Sequence, residues 1–215
     1  RGRFGIAGEF GHMQVVPDGL RCECGNRGCW EQYSSGNALV REARTLLLAN
    51  SPVADDLRAR VGGDPALLTG PLVTEAAQAG DRTAIELLAD VGRWLGVGIA
   101  NLAAAFDPGV FVIGGGVSAA GELLLGPARE TYRRQLTGRG YRPEAKIVAA
   151  QLGNDAGVIG AADLARAEAQ PEVLAEASAP SADGGTREVV TSAESAEATS
   201  HPGARRVKWW RRRHT

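Results

Sequence analysis

The sequence predicts an α/β fold, in which helices alternate with short buried strands. Three observations lead to this prediction. Long helical patterns are separated by short runs of β-branched residues, 29 glycines supply turns and close packing, and aromatic residues make up only 5% of the chain. With 215 residues, 44% of them hydrophobic, the chain can bury a core of ordinary size in one or two domains.

The first predicted helix covers residues 34–50, with Ser34 or Ser35 as its amino-terminal cap. Its apolar residues recur at helical spacing and share one face. Residues 51–70 are predicted as a polar connection with a turn at 62–65. A short second helix follows over 72–79, and Gly80 ends it.

The third predicted helix runs over residues 82–106, with Asp81 as its cap. It is apolar nearly all round beyond Trp94, which predicts a buried helix. Gly92 and Gly96 lie on one face, so we expect another helix or strand to approach closely there.

The clearest strand–loop–helix unit begins with a strand over residues 110–113, whose unbroken apolar run predicts burial on both faces. The loop consists of Gly114, Gly115 and Gly116, and a helix is predicted to begin near Ala119 or Ala120. A second strand over 146–150 and a final helix, which begins after Asn154 or Asp155, complete the pattern.

Charge and hydropathy limit the functional classes. The net charge of −1 gives no overall basicity of the kind that binds nucleic acid. The uncharged run 94–106 is shorter than the roughly 18 residues that cross a bilayer, and no signal peptide is visible, so we expect a cytoplasmic protein without a transmembrane segment. Residues 170–215 are predicted as a disordered low-complexity tail with a basic end. That end, "RRVKWWRRRHT", could touch an anionic membrane or nucleic acid, but a solvated extension without a role is favoured.

Every cysteine of the chain lies in one short stretch. Cys22, Cys24 and Cys29 fall within eight positions, and His12 precedes the first of them by ten. A disulfide is disfavoured because the cysteine count is odd, the expected location is reducing, and a ring joining Cys22 to Cys24 would be strained. Three thiolates and one imidazole match a closed tetrahedral structural zinc site. Reduced cysteines with a core histidine are the less favoured alternative.

Two carboxylates flank this cluster. Glu9 lies three residues before His12, and Glu31 lies two after Cys29. If a metal fixes both backbone segments, the two carboxylates can project into one cleft. The second ring nitrogen of His12 would remain a donor beside them, an arrangement that suits the hydroxyls of a sugar. From spacing alone, ordinary surface carboxylates are an equally good interpretation.

The motif "GxxGEFGH" followed by "CxCGxxGCxE" resembles the ROK family of sugar kinases and sugar-responsive repressors, and the wording is similar to actinobacterial glucokinases of that family. The later blocks "VFVIGGGVSAAGELLLGPARE" and "LGNDAGVIGAADLA" resemble the same proteins, so the likeness covers residues 1–168. It implies an actin-like ATPase (ribonuclease H-like) fold of two α/β domains. Residues 1–169 would be mostly the carboxyl-terminal domain, incomplete at its start, with the zinc-binding segment at 9–31.

The resemblance also implies roles for individual residues. His12, Cys22, Cys24 and Cys29 match the family's zinc ligands, and Glu9, His12 and Glu31 match its hexose-binding residues. The backbone of the glycine loop 114–116 could approach a nucleotide, although close packing explains such a loop equally well.

The activity implied is phosphorylation of glucose to glucose 6-phosphate by ATP with Mg²⁺, in a homo-oligomer. The family's early phosphate loop and the aspartate that acts as base are not visible, and the chain starts without methionine. We therefore expect both upstream, and no catalytic residue or kinase activity in this chain alone. Asp18, Asp107 and Asp155 lie in turns or caps and are not assigned as the base.

Two other functions are considered. The first is a sugar-sensing repressor of the same family, which would carry a DNA-binding helix pair upstream. The second is a zinc-stabilised interaction module, which explains the cysteines but not the flanking carboxylates. The sequence also leaves open related hexoses such as mannose, allose or N-acetylmannosamine, and polyphosphate as the donor.

Overall fold

The computed structural model describes residues 3–169, and the predicted tail at 170–215 lies outside the described residues. This described part contains six α-helices and two β-strands, interspersed with short 3₁₀ turns. In chain order the elements are α1 (Gly36–Leu48), α2 (Asp55–Arg60), α3 (Gly70–Gln78), α4 (Arg82–Phe106), β1 (Val110–Ile113), α5 (Glu122–Gln135), β2 (Lys146–Ala149) and α6 (Ala156–Ala169). The predicted alternation of helices and strands is confirmed.

The predicted caps of α1 and α4 are also confirmed. The Ser35 hydroxyl accepts a hydrogen bond from the Ala38 amide at 3.0 Å, and the Asp81 carboxylate accepts one from the Ala84 amide at 2.7 Å. Each bond satisfies one of the backbone donors that a helix leaves free in its first turn. Ser34, the other candidate cap, instead donates to the Val91 carbonyl at 3.3 Å.

The prediction of a polar connection over residues 51–70 is wrong. The structure places α2 there, and Ala54, Leu57, Val61 and Leu68 are buried in the core. Three of these residues have the spacing of one helical face, and among the charged residues between them Asp55, Asp56 and Arg60 are exposed. Each turn contributes only one buried apolar residue. The charged residues around it make the segment polar on average, so the apolar face was not recognised from the sequence.

The close approach predicted for α4 is confirmed, and its partner is α5. A Cβ atom at Gly92 would lie 2.3 Å from the Leu124 carbonyl oxygen, and one at Gly96 would lie 2.3 Å from the Ala128 carbonyl oxygen. By length and hydropathy alone α4 could cross a membrane, but half of its apolar window is buried within the protein. The backbone of α5 packs directly on it, so α4 is the central core helix.

The two strands pair in parallel, in a register that runs from Val110 opposite Lys146 to Ile113 opposite Ala149. Burial of β1 on both faces is not observed. Phe111 and Ile113 pack against the core, whereas Val110 and Val112 are 48% and 61% exposed. Within residues 3–169, helices cover only one face of this small sheet, and the apolar run therefore has one wet side.

The two edges of the sheet differ. The Lys146 amide donates to the Gly109 carbonyl and the Ala150 amide to the Ile113 carbonyl. This pattern leaves the peptide groups of Val110 and Val112 facing the outer edge of β1. At the opposite edge, the Arg129 guanidinium donates to the Ile147 carbonyl at 2.9 and 3.0 Å. Among the described residues, the outer edge of β1 is therefore unpaired, whereas the outer edge of β2 is covered by the Arg129 side chain.

Candidate functional site

The structure brings together the four metal-ligand candidates of the sequence. The ligand atoms of His12, Cys22, Cys24 and Cys29 all lie within 4.8 Å of one another. Two of the separations are 3.6 Å, namely Cys22 Sγ to His12 Nδ1 and Cys24 Sγ to Cys29 Sγ. A tetrahedral Zn²⁺ with its usual bond lengths requires about 3.6 Å between sulfur and nitrogen and about 3.8 Å between sulfurs. The donor set therefore fits a zinc ion.

Turns and isolated bridges hold the cysteines in place. The Cys22 amide donates to the Asn26 carbonyl at 2.9 Å, and a bridge pairs Gln14 with Cys29. At Gly28 the φ angle is +74°, and a Cβ atom there would lie 1.7 Å from the Val16 carbonyl oxygen. Only glycine can occupy this position, because any side chain would force the two halves of the segment apart.

The three thiols differ in acidity. A hydrogen bond to Glu31 raises the pKa of Cys22, and burial raises the pKa of Cys29 to about 12. A hydrogen bond from the Asn26 backbone lowers the pKa of Cys24, which is the exposed member of the set. A metal that binds here must displace thiol protons, as zinc does when it binds cysteine.

The two predicted sugar carboxylates lie in different positions relative to this cluster. Glu31 touches it, since its Oε1 lies 2.9 Å from Cys22 Sγ and 3.3 Å from His12 Nδ1. Glu9 immediately precedes the 3₁₀ turn Phe10–His12, and its exposed carboxylate forms no hydrogen bond with the described residues. A Cβ atom at Gly11, within that turn, would lie 3.5 Å from Glu31 Oε2, so the two turns that bear the carboxylates are in contact.

Aromatic anchors that the sequence analysis missed fix this segment to α4. The Trp30 indole donates to the Trp94 carbonyl at 2.7 Å, and its ring lies so close to Gly98 that a Cβ there would be 2.0 Å from Trp30 Cε2. The Tyr33 ring lies 4.8 Å from that of Trp94, and its hydroxyl accepts from the Leu20 amide at 2.8 Å. The sequence feature that could have indicated this anchor is the tryptophan directly after Cys29.

The glycine loop lies at one end of a groove. A cavity of about 420 Å³ is lined by the loop 114–116 and by the starts of α1 and α3. A second cavity of about 790 Å³ is lined by Glu31 and Arg41. Ser35, Asn37 and Gly70 line both cavities, so the two adjoin at the start of α1, and together they are called the groove below. The groove thus has Glu31 towards one end and the glycine loop at the other.

Comparison with known proteins identifies the family. The sequence profile of the ROK family matches residues 1–168. This chain belongs to the ROK family. A glucokinase from Streptomyces coelicolor is 50% identical over 166 residues, which are 77% of this chain and 52% of that protein.

Solved structures agree with this assignment. A ROK glucokinase from Streptomyces griseus, crystallised with glucose and AMPPNP, superposes with a TM-score of 0.72 at 52% identity, over 77% of this chain and 53% of that one. The predicted actin-like ATPase fold is thereby confirmed. ROK regulators are more distant: the DNA-binding transcriptional dual regulator NagC of Escherichia coli is 34% identical over 70% of this chain and 35% of its own length. The chain spans about half the length of the curated glucokinases that it matches.

Proposed function

We propose that this ROK chain is the sugar- and zinc-binding part of a glucokinase, which transfers the γ-phosphoryl group of ATP to the 6-hydroxyl of glucose. The observation that carries the proposal is the groove with Glu31 towards one end and the glycine loop at the other. Phosphoryl transfer depends mainly on holding the hydroxyl in line with the phosphate, so two binding ends on one groove suit it.

Glu9, His12 and Glu31 would orient the sugar. Because His12 Nδ1 faces the cysteines, that nitrogen would bind the metal and Nε2 would remain free to donate to a sugar oxygen. The carboxylates of Glu9 and Glu31 would accept hydrogen bonds from sugar hydroxyls. Of the three residues only Glu31 lines the groove, and the turn Phe10–His12, which Glu9 precedes, lies against the Glu31 side chain.

His12, Cys22, Cys24 and Cys29 would hold a structural zinc ion. Bound there, zinc contributes rigidity to the floor of the sugar site and takes no part at the phosphate. The ligand cluster would fix the backbone at Cys29, two residues before Glu31, and so restrict the movement of that sugar-binding carboxylate.

Gly114, Gly115 and Gly116 would receive the nucleotide, which enters as a complex with Mg²⁺ that neutralises its phosphates. Close packing does not explain these glycines. A Cβ atom at Gly115 or Gly116 would meet nothing within 4 Å, and at Gly114 only an ordinary contact with Ala150. The φ of +85° at Gly115 requires glycine for its backbone conformation. The bare backbone that results is exposed towards the groove, as glycine loops that bind phosphates are.

No residue of this chain is proposed as the general base. Asp18 and Asp107 occupy turns with positive φ, and Asp107 pairs with Arg142. Asp155 ends the 3₁₀ turn before α6. We assign the base to the part of the ROK kinases that this chain does not span, and expect this chain alone to bind sugar weakly without turnover.

A sugar-sensing regulator is the second candidate, since NagC matches 70% of this chain. The higher identity to the Streptomyces coelicolor glucokinase, 50% against 34% for NagC and 37% for a putative xylose repressor of Caldicellulosiruptor, favours the kinase. Cytoplasmic location, homo-oligomerisation and glucose as the preferred hexose stay predictions.

Two variants test the proposed division of roles. Glu31→Gln should leave the zinc content unchanged and weaken glucose binding about tenfold or more, because a charged hydrogen-bond acceptor is lost. Cys24→Ser should release zinc and destabilise the segment. Zinc measured by atomic emission and glucose binding by calorimetry provide the readouts, and equal zinc loss in both variants would contradict the assignment.

A chimera tests the activity. Residues 1–168 of this chain would replace the matched region of the Streptomyces coelicolor glucokinase, and hexose phosphorylation by ATP would be assayed. Turnover with glucose is expected. A folded, zinc-loaded chimera without turnover on any hexose would reject the kinase in favour of the regulator.

A further inference from the structure

We propose that Arg41 is a positioning residue for sugar binding, because its guanidinium holds the turn that carries Glu31. This inference rests on the proposed function. Arg41 lies in the second turn of α1 and reaches back to the 3₁₀ turn Trp30–Gln32. Its Nη2 donates to the Gln32 carbonyl at 2.6 Å, and its Nη1 lies 3.4 Å from Gln32 Oε1.

The turn needs such a contact because it is short. Glu31 occupies the centre of a single 3₁₀ turn, a conformation with poor hydrogen-bond geometry that is stable only in brief runs. Before Glu31, the chain is fixed by Cys29 in the ligand cluster and by the indole bond of Trp30 to the Trp94 carbonyl. After Glu31, the Gln32 carbonyl is the next backbone acceptor, and Arg41 binds it. Beyond Gln32 the chain is fixed again where Tyr33 packs on Trp94 and Ser34 donates to the Val91 carbonyl, so Arg41 is the anchor nearest to Glu31 on this side.

The guanidinium is itself oriented. Glu42 Oε1 accepts from Arg41 Nε at 3.1 Å and from Nη2 at 2.9 Å. This partner balances the charge and fixes the plane of the fork, and a hydrogen bond from a charged donor is stronger than a neutral one. Arg41 also lines the same 790 Å³ cavity as Glu31. Its loss should therefore loosen Glu31 at the wall of the sugar site without touching the zinc ligands.

Arg58 offers a matched control. It lies on α2 and likewise binds a backbone carbonyl, that of Ser51, with Nη2 at 3.1 Å, and it pairs with Asp55 as Arg41 pairs with Glu42. It lines neither cavity of the groove. A purely structural effect of losing an arginine–carbonyl bond should appear in both variants, and an effect on sugar binding only in one.

The experiment compares Arg41→Ala, Arg41→Lys and Arg58→Ala in the zinc-loaded 215-residue chain. Glucose binding by calorimetry, zinc content and hydrogen exchange of residues 30–34 are measured on the same samples. Arg41→Ala should weaken glucose binding about tenfold, as loss of an orienting partner commonly does, and should speed exchange at 30–34 with zinc retained. Arg41→Lys should restore part of the affinity, because an ammonium can still donate to the Gln32 carbonyl.

Arg58→Ala should lower the thermal midpoint and leave both glucose affinity and exchange at 30–34 unchanged. Unchanged glucose affinity in Arg41→Ala, or an equal loss in Arg58→Ala, would overturn the inference. If the unsubstituted chain fails to bind glucose, the proposed function fails, and exchange at 30–34 still decides separately whether Arg41 holds the turn.

Discussion

The segment 9–31 and the body that follows it, residues 36–149, are held together by different means. Within 9–31, only Cys22, Gly28 and Cys29 are buried. The body instead has a continuous apolar core built by α1, α3, α4 and α5, with Leu39, Leu88, Ile99 and Leu124 almost wholly inaccessible. The body thus gains stability from many interchangeable contacts, and the segment 9–31 from a few specific ones. Changes that remove a single contact should therefore act locally in the segment 9–31 and on the global unfolding free energy in the body.

Removal of the proposed zinc ion should produce the largest difference between the two regions. Structural zinc sites contribute roughly 10–16 kcal/mol to the folding of small zinc-binding peptides, and the segment 9–31 has no core to replace that contribution. After chelation, amide exchange over 9–31 should become fast, while α4 stays protected and the far-ultraviolet dichroism changes little. Loss of protection in α4 as well would show that the body depends on the metal, and the comparison would fail.

A cavity in the core of the body should lower the global unfolding free energy and leave the segment 9–31 unaffected. Leu88 on α4 is fully buried, and Leu88→Ala should cost about 2–5 kcal/mol of unfolding free energy. Urea denaturation followed by dichroism measures this cost. Zinc content of the folded fraction should stay at that of the unsubstituted chain. A Leu88→Ala variant that unfolds no more easily but releases zinc would show that Leu88 supports the segment 9–31 and not the core of the body.

The junction between the regions can be tested with two glycine substitutions. Gly98→Ala would drive a methyl group into the Trp30 ring, and overpacking of this kind costs about 1–3 kcal/mol. Gly160→Ala, within α6, would place its methyl group where nothing lies within 4 Å and should stabilise by about 0.5–1 kcal/mol, because alanine favours helix. Thermal unfolding measures both. Opposite changes in thermal stability would show that the close contact with Trp30 requires Gly98. Destabilisation by both substitutions would mean that glycine is required in these helices for another reason.

The smallest effect should come from the cap of α1. Ser35→Ala removes the hydrogen bond to the Ala38 amide and should cost about 1 kcal/mol. Thr69→Ala is the control, because the Thr69 side chain makes no capping bond to α3 and its loss should cost only a few tenths of a kcal/mol. Equal costs in denaturant titrations would show that the Ser35 bond adds no stability.

Most of the fold could be predicted because it depends on local chemistry. The caps Ser35 and Asp81 and the close-contact glycines of α4 have signals within a few residues of where they act. Residues that depend on distant partners were not predictable in this way. No sequence pattern around Gly98 indicates that it packs against Trp30, and none around Arg41 indicates that it binds the Gln32 carbonyl.

The Cys/His spacing led to the site because a metal requires its ligands to converge wherever the chain between them runs. The one-sided exposure of β1 could not be predicted, because the apolar run is the same whether a sheet is covered on one face or on two. Burial on both faces depends on which other elements cover the sheet.

The unequal edges of the small sheet also limit how copies of this chain could associate. Within residues 3–169 the outer edge of β1 is unpaired, and an unpaired edge can accept a strand from another molecule, with the exposed Val110 and Val112 side chains adding apolar contact. The arginine across the edge of β2 blocks the same reaction on the other side. A molecule with one available strand edge can pair with one partner, and no edge then remains for a second partner. Any such association through strand pairing should therefore end at a pair of chains and should not grow into a fibre.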